Sequence, residues 1–553
     1  MTRAVGSPLA GRALAALVLV LPFEPRWPTL SLLGLQWTFL EAAAAVSTVI
    51  AAWFVRRRLG ALLRRPPLSV ACLSAFAAVH LLSAVAAPAH REAAAVYSLR
   101  MTAAAALAVI VAACERRDVH RMLRAVIPMA LVVAGFAILE GAGLRALDPF
   151  LNLFRATAYV YEGSRRASAA SESPNLAAAL LAHGLVVAAG FASLAAAPAR
   201  RTALLAVPLS VGLLLTYSRG GLVAAVVGTA VLLRALPRKA RRAPLAALAS
   251  LVGVVALLAS GDSALRRRMI GPALAEAEGA RYEPLDAALV LQPGETRAVS
   301  ARVVNTGSTT WLPSSYRLTC AWFRDGRLLD AGCAAELSRP VPPGESIVLQ
   351  AVARAPEVEG SYFLAWNVVG GSGLFSFLGI PPGLVPAAVG ERGAAALPSN
   401  PPSFVSRRSR WELWKLASGM WLERPLLGFG PDNYRKMHEA FAGWPSGREG
   451  LADYAHSAYL EAAASTGSLG LLTLLATLLA TLGAAWRVAA HAPGLEDRVA
   501  AAALTGLLAG IAAHSAVDHL LGFTSEYLFF GCVVGGAAAL GRREDLSEAT
   551  AAA

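Results

Sequence analysis

The chain has 553 residues, of which 56% are hydrophobic and 16% charged, with a mean hydropathy of +0.53. That balance excludes an ordinary soluble globular protein and implies a polytopic membrane protein. The net charge of +14 does not imply nucleic acid, because the basic residues sit in short clusters between apolar segments. Only Lys239, Lys415 and Lys436 are lysines, and with so many alanines the arginine excess reads as codon bias rather than function.

Roughly twelve apolar runs of about 17–25 residues are long enough to span a bilayer. They lie near 13–33, 37–55, 68–87, 93–113, 125–143, 174–194, 202–217, 219–236, 243–260, 457–486, 498–518 and 526–541. The first is not read as a cleaved signal peptide, since it lacks a clear small-residue cleavage site and LPFEP breaks its end with prolines. Basic clusters follow every even-numbered span: Arg56–Arg58 with Arg64 and Arg65, then Arg116, Arg117, Arg121 and Arg124, then Arg200 and Arg201. Arg234, Arg238, Lys239, Arg241 and Arg242 come next, Arg487 and Arg498 bracket the loop after the tenth span, and Arg542 and Arg543 follow the last. By the positive-inside rule those loops and both termini are cytoplasmic, which puts the 262–455 stretch outside.

The first part of the membrane domain is read as 1–261. Residues 284–380 read as an all-β module, because AVSARVVNTGSTTW, YRLTCAWF, ESIVLQAVARAP and GSYFLAWNVV alternate polar and apolar at period two. Asp325–Gly326 is a hairpin signal. The pattern VVNTGSTTW…PPGESIVLQAVARAP…GSYFLAWNVV resembles a tryptophan-rich immunoglobulin-like sandwich, with Trp311, Trp322 and Trp366 at the recurrent tryptophans and Leu374–Phe375 at the last aromatic position. Those tryptophans are expected to fill a sandwich core rather than to bind a ligand. Residues 381–410 read as a Pro/Ser/Ala/Gly linker. Residues 411–456 are read as a periplasmic interfacial helix and loop, with Trp411, Trp414 and Trp421 among polar residues. The last three membrane helices are placed in 457–541.

TYSRGG (around Arg219), ERPLLGFGPDNY and AHSAYLEAAASTGSLGLL (with His456) occur in that order, preceded by RRASAASESPNLAA at 165–178. This ordered set resembles the O-antigen ligase and polymerase superfamily, over the membrane part and not over the β module. The fourth motif departs from the family, carrying Ala-Ala-Ser-Glu-Ser where Gly-Thr-Phe usually precedes Pro-Asn. The resemblance implies a GT-C-type membrane glycosyltransferase of the bacterial inner membrane. Such an enzyme moves a glycan from undecaprenyl diphosphate to a lipid or saccharide acceptor, without a nucleotide sugar, metal or other cofactor.

The chemistry suits that implication. A diphosphate leaving group needs fixed cations, and arginine's planar fork binds phosphate oxygens in pairs. Arg219 is the first candidate, with Gly220 and Gly221 expected to let a headgroup approach the backbone; Arg166 or Arg165 is the second. A sugar hydroxyl needs a base near neutral pH, a task that suits His456. The structural alternatives are that Arg219 snorkels to a headgroup, that Arg165 and Arg166 are solvated loop charges, and that His456 caps its helix. Tyr459 and Glu461 read as packing and helix-end residues. Glu41 and Arg100 lie inside spans and are costly unless they face a polar cavity. His514, Asp518 and His519 lie one turn apart and read as a hydrogen-bonded surface rather than a metal site.

Cys72, Cys114 and Cys532 read as apolar fillers. Cys320 and Cys333 fall on opposite arms of the predicted hairpin, in an oxidising compartment, and are expected to form a disulfide. Three functions follow: ligation of a glycan to an acceptor, polymerisation of lipid-linked repeat units, and a transporter or flippase with a binding module. A transporter should show internal repeats and midplane charge, and the notable charges here sit at the outer edge.

Overall fold

The computed structural model describes residues 9–27, 30–32, 35–155, 159–161, 164–194, 199–261, 265–266, 278–324, 327–370, 373–375, 380–390, 397–398, 410–441 and 454–542. Two bodies of structure result, one helical and one of β-strands.

Helix α1 (Leu9–Val20) ends well before residue 33, where the first apolar run was expected to end. Pro22 and Pro25 explain the early stop, since neither donates to a helix ladder. A short hairpin, β1 (Leu30–Leu32) with β2 (Leu35–Trp37), takes up the remainder of the apolar run. Helix α2 (Phe39–Arg64) starts at a capping box, in which Thr38 and Glu41 satisfy each other's backbone N–H. Then come α3 (Leu68–Ala86), α4 (Arg91–Ala113) and α5 (Arg116–Gly141), a single turn α6 (Asp148–Leu151) and the hairpin β3 (Tyr159–Tyr161) with β4 (Ser164–Arg166). Helices α7 (Pro174–Ala192), α8 (Ala199–Leu215), α9 (Arg219–Ala235) and α10 (Arg242–Gly261) complete the first part.

After the β module the chain returns through α11 (Arg410–Glu423) and α12 (Tyr434–Phe441) to α13 (Ala458–His491), α14 (Leu495–Ser515) and α15 (Thr524–Leu540). Among the described residues, seven helices are long and apolar enough to cross a membrane. They are α2, α3, α4, α5, α7, α13 and α14; α1, α8, α10 and α15 contain shorter apolar stretches. The protein is a polytopic helical membrane protein. Helices approach closely where small residues meet: Gly228 of α9 lies over the Gly506 carbonyl of α14, and Gly531 of α15 over the Ala104 carbonyl of α4.

The strands are β5 (Ala280–Pro284), β6 (Leu289–Leu291), β7 (Thr296–Asn305), β8 (Arg317–Arg324), β9 (Arg327–Glu336), β10 (Ser346–Arg354), β11 (Gly360–Gly370), β12 (Gly373–Leu374) and β13 (Gly383–Val389). One sheet has the order β10-β7-β5; the other runs β6-β13-β11-β8-β9, with β12 on β11. Residues of both sheets, from Val299 and Leu349 to Leu318 and Leu364, share one core that buries Trp311, Trp322 and Trp366. Trp322 ties the layers by donating from Nε1 to the Arg354 carbonyl at 2.7 Å. The module therefore runs from Ala280 to Val389, and β13 lies inside the stretch read as a linker. Pro386 and the surrounding Pro/Gly sequence hide that strand, yet it pairs along β11 over seven positions. Strands β8 and β9 pair antiparallel and set Cys320 directly opposite Cys333, with Cα atoms 5.0 Å apart and a disulfide between them. The hairpin residues Asp325 and Gly326 lie outside the described residues.

Candidate functional site

The helix ends that carry the motifs meet on one face. Helix α9 begins at Arg219 because Ser218 caps it, its hydroxyl accepting from the Gly221 amide. Tyr217, just before, has a φ of +55°. The strand β4 is sewn to this cap: the Ala167 amide donates to the Leu215 carbonyl at 2.8 Å, and Arg166 Nε donates to the Thr216 carbonyl at 3.0 Å. Arg166 thus comes to lie beside the TYSRGG turn, and Arg219 is exposed there.

Gly220 and Gly221 have a different task from the one expected of them. A Cβ on Gly220 would come within 2.5 Å of the His514 ring, and one on Gly221 within 2.4 Å of the Ala178 side chain. Both glycines are buried and let α9 pack on α14 and α7, rather than opening the backbone to a headgroup.

Arg166 and Arg165 separate sharply. Arg166 Nη2 donates to Asn175 Oδ1 at 3.2 Å, Asn175 Nδ2 donates to Asp518 Oδ2 at 2.6 Å, and Asp518 Oδ1 lies 3.2 Å from His456 Nδ1. Arg165 instead pairs with Asp148 at 2.7 Å. The loop that carries both is anchored by Arg155, which is fully buried and pairs with buried Glu140. Glu140 Oε2 accepts from the Ser168 and Ala169 amides at 3.0 Å each.

His456 sits on an equally well defined turn. Its φ is +48°, and Ser457 after it caps α13. Glu461 reaches back to accept from the Ala455 amide at 2.9 Å, so it pins the histidine-bearing loop. The Asp518 carbonyl accepts from the Ala458 amide at 3.2 Å. Burial alone would raise the Asp518 carboxyl, but the His456 hydrogen bond, the nearby imidazoles and the His519 amide hold it well below the usual carboxylate range. Asp518 therefore stays an anion against His456, whose side chain is 33% exposed.

The other members of the His514, Asp518 and His519 group are buried. His514 is buried against Gly220, and His519 Nε2 lies 3.2 Å from the Tyr97 hydroxyl. Tyr459 packs and donates to the Ala512 carbonyl at 2.9 Å. Glu41 and Arg100 neutralise each other at 2.9 Å, with the Tyr527 hydroxyl also on Glu41. Sequence reasoning passed over Asn175, the Asp518–His456 contact and Arg410, which starts α11 and whose charge reaches His514. Among the described residues the non-glycine positions with positive φ are His90, Ala169, Tyr217, Asp432 and His456, each at or a few residues before a helix start on this face. Such conformations cost on the order of 1–3 kcal/mol each and concentrate at functional sites.

Helix α13 is kinked at Gly467, with φ +66° and ψ −166°. Its opened backbone receives the ERPLLGFG segment: Phe429 and Gly430 donate to the Ala464 and Ser465 carbonyls at 3.0 and 2.8 Å, and Ser468 donates to the Pro425 carbonyl at 2.7 Å. Two of the ordered motifs are thus one structural unit beneath His456.

Residues 364–475 match the family model described as O-antigen ligase. That match supports a resemblance to the O-antigen ligase and polymerase superfamily. The match covers about a fifth of the chain, from β11 through the first half of α13, and includes ERPLLGFGPDNY, Arg410 and His456. Arg219, Arg166 and Asp518 lie outside it and are joined to it by the contacts above. No curated protein gives a significant match. The matched family is one of O-antigen ligase- or polymerase-like function.

Proposed function

We propose that this protein transfers a glycan from a lipid-linked diphosphate, such as undecaprenyl diphosphate, to an acceptor hydroxyl on the extracytoplasmic face of the bacterial inner membrane. The observation that carries this reading is the hydrogen-bonded chain Arg166–Asn175–Asp518–His456, laid against the helix cap that presents Arg219. Arg219 and Arg166 hold the diphosphate oxygens, and their fixed charge offsets the charge that develops on the leaving group. Arg165, committed to Asp148, supports the loop rather than the donor.

Asp518 accepts from His456 Nδ1–H and so leaves Nε2 with its lone pair toward the acceptor. The acceptor oxygen attacks the anomeric carbon while its proton passes to Nε2. The bond from that carbon to the diphosphate oxygen breaks, and the lipid diphosphate departs with the electron pair. General-base assistance of this kind contributes typically about 10²–10⁴-fold. The β module, read as an immunoglobulin-like insert outside the membrane, contributes none of these groups.

Arg219→Ala and His456→Ala should each abolish transfer by purified, normally inserted protein, and Arg219→Lys should also be poor because an ammonium lacks the bidentate fork. Near-normal transfer after either alanine change removes that residue from the mechanism. Transfer should survive EDTA. The lipid-linked glycans of a deletion strain separate the two acceptors: long chains accumulate on the carrier if the enzyme is a ligase, single repeats if it is a polymerase.

A further inference from the structure

A second polar site lies beside the first. Between the first turns of α4 and the start of α12 there is a pocket of about 450 Å³, within the size range of ligand sites. Arg100, Arg435 and Lys436 line it, with Glu92, Tyr97 and Asp432.

The two guanidinium groups are fixed but not used up. Arg100 is held through Nε by Glu41 at 2.9 Å, and among the described residues its two Nη nitrogens have no hydrogen-bond partner. Arg435 donates from Nε and Nη2 to the two oxygens of Asp432 at 2.5 and 2.7 Å, and its Cζ lies 5.6 Å from the Tyr454 ring centre. That leaves Nη1 for another acceptor. Lys436 is exposed and makes no ion pair among the described residues. The carboxylates of Glu41 and Asp432 are spent on the arginines, so Glu92 is the acidic group left on the rim. The charge of Arg100 and of Arg435 also reaches Glu172.

We propose that this pocket is a subsite for an anionic sugar, a carboxylate- or phosphate-bearing unit of one of the two glycan substrates. The proposal deepens the transfer reading and rests on it. Preorganised guanidinium N–H donors match carboxylate and phosphate oxygens, and Lys436 adds a charge with no ion pair among the described residues, a combination that a neutral sugar does not need. The position is right for a substrate: Tyr97 lines the pocket and hydrogen-bonds His519, the neighbour of the Asp518 that holds His456. The donor diphosphate does not fill it, because the cations assigned to the diphosphate, Arg219 and Arg166, are not among its lining residues.

The test is binding by the full-length protein in lipid nanodiscs, followed by ligand-observed NMR with glucuronate, glucose 6-phosphate, glucose, inorganic phosphate and pyrophosphate. Glucuronate and glucose 6-phosphate should bind at least roughly ten-fold more tightly than glucose. Lys436→Glu, at an exposed position, should weaken both anionic sugars roughly five- to ten-fold and leave glucose unchanged. Equal binding of glucose and glucuronate, or anion binding indifferent to Lys436→Glu, overturns the proposal. Inorganic phosphate as tight as glucose 6-phosphate makes this a free-phosphate pocket, and full displacement of glucuronate by pyrophosphate makes it the donor diphosphate site; both also overturn it. Binding needs no turnover, so this result is independent of whether Arg219 and His456 prove essential. Transfer assays with the acid placed on either the donor glycan or the acceptor then show, by which one Lys436→Glu impairs, the substrate that supplies it.

Discussion

His456 and His519 both touch Asp518, and their surroundings give them opposite characters. His456 is one-third exposed and open to an acceptor, while His519 is buried between Tyr97 and Tyr454 and burial pushes it down to about 3. Its neighbours include Asp518, which favours the charged form, and His456 and Arg435, which oppose it. Between that value and the ordinary histidine range near 6.5, the unfolded chain binds a proton that the folded chain does not. Stability therefore rises with pH across that window and is lost on acidification, by up to about 2 kcal/mol from pH 7 to pH 5. His519→Gln, which keeps a partner for Tyr97, should flatten this dependence in thermal unfolding at the two pH values; an unchanged acid loss would assign it to another group. Arg219, Arg166 and His456 could be singled out from the sequence because each sits in a short motif. Asp518 and Asn175 could not be placed with them, since the contact between them spans 343 positions and that between His456 and Asp518 spans 62. Arg165 and Arg166 could not be told apart because neighbours on a strand point to opposite sides, and that parity is set by pairing with β3.

Helices and strands were legible wherever hydrophobic period and length agreed, and misread where proline or glycine interrupted the pattern. Pro22 and Pro25 shortened α1, and Pro386 disguised β13 as linker. Helix α13 shows the more instructive case, because its apolar run reads as one straight span and the kink at Gly467 is silent. The kink exists for the ERPLLGFG segment: a Cβ at Gly467 would lie 2.3 Å from the Leu426 carbonyl carbon. A side chain there meets backbone, which cannot step aside, and the positive φ adds strain of its own. Gly467→Ala should therefore cost on the order of 1–3 kcal/mol and loosen the loop that carries His456. Transfer should fall more than expression does. Limited proteolysis near residues 424–430 should quicken, and an unaltered cleavage rate with full transfer would show that the segment does not depend on the kink.

At the scale of the whole molecule, two polar faces sit at opposite ends of the helices. One gathers the C-terminal ends of α3, α8 and α14 and the N-terminal ends of α4, α7, α9 and α13, with the candidate site. The other is held by arginines: Arg58 with Glu115, Arg116 with Asp497, Arg124 with Glu496, and Arg542 on the Ala112 and Cys114 carbonyls. Individually, the exposed pairs contribute little stability. Collectively the basic face has a second consequence, because short loops rich in arginine are retained on the cytoplasmic side during insertion. We propose that orientation, with both termini inside and the candidate site and β module outside. A lipid-linked donor would then meet Arg219 at the outer membrane edge, and Cys320 and Cys333 would lie where disulfides persist. Fusions of a reporter enzyme active only outside the cytoplasm decide the matter. Inserted within 290–380, the reporter should be active; inserted within 235–242, beside Arg238 and Lys239, it should be silent. The reverse pattern would place the basic face outside and leave Arg219 and His456 facing the cytoplasm, where an extracytoplasmic transfer reaction has no substrate to offer them.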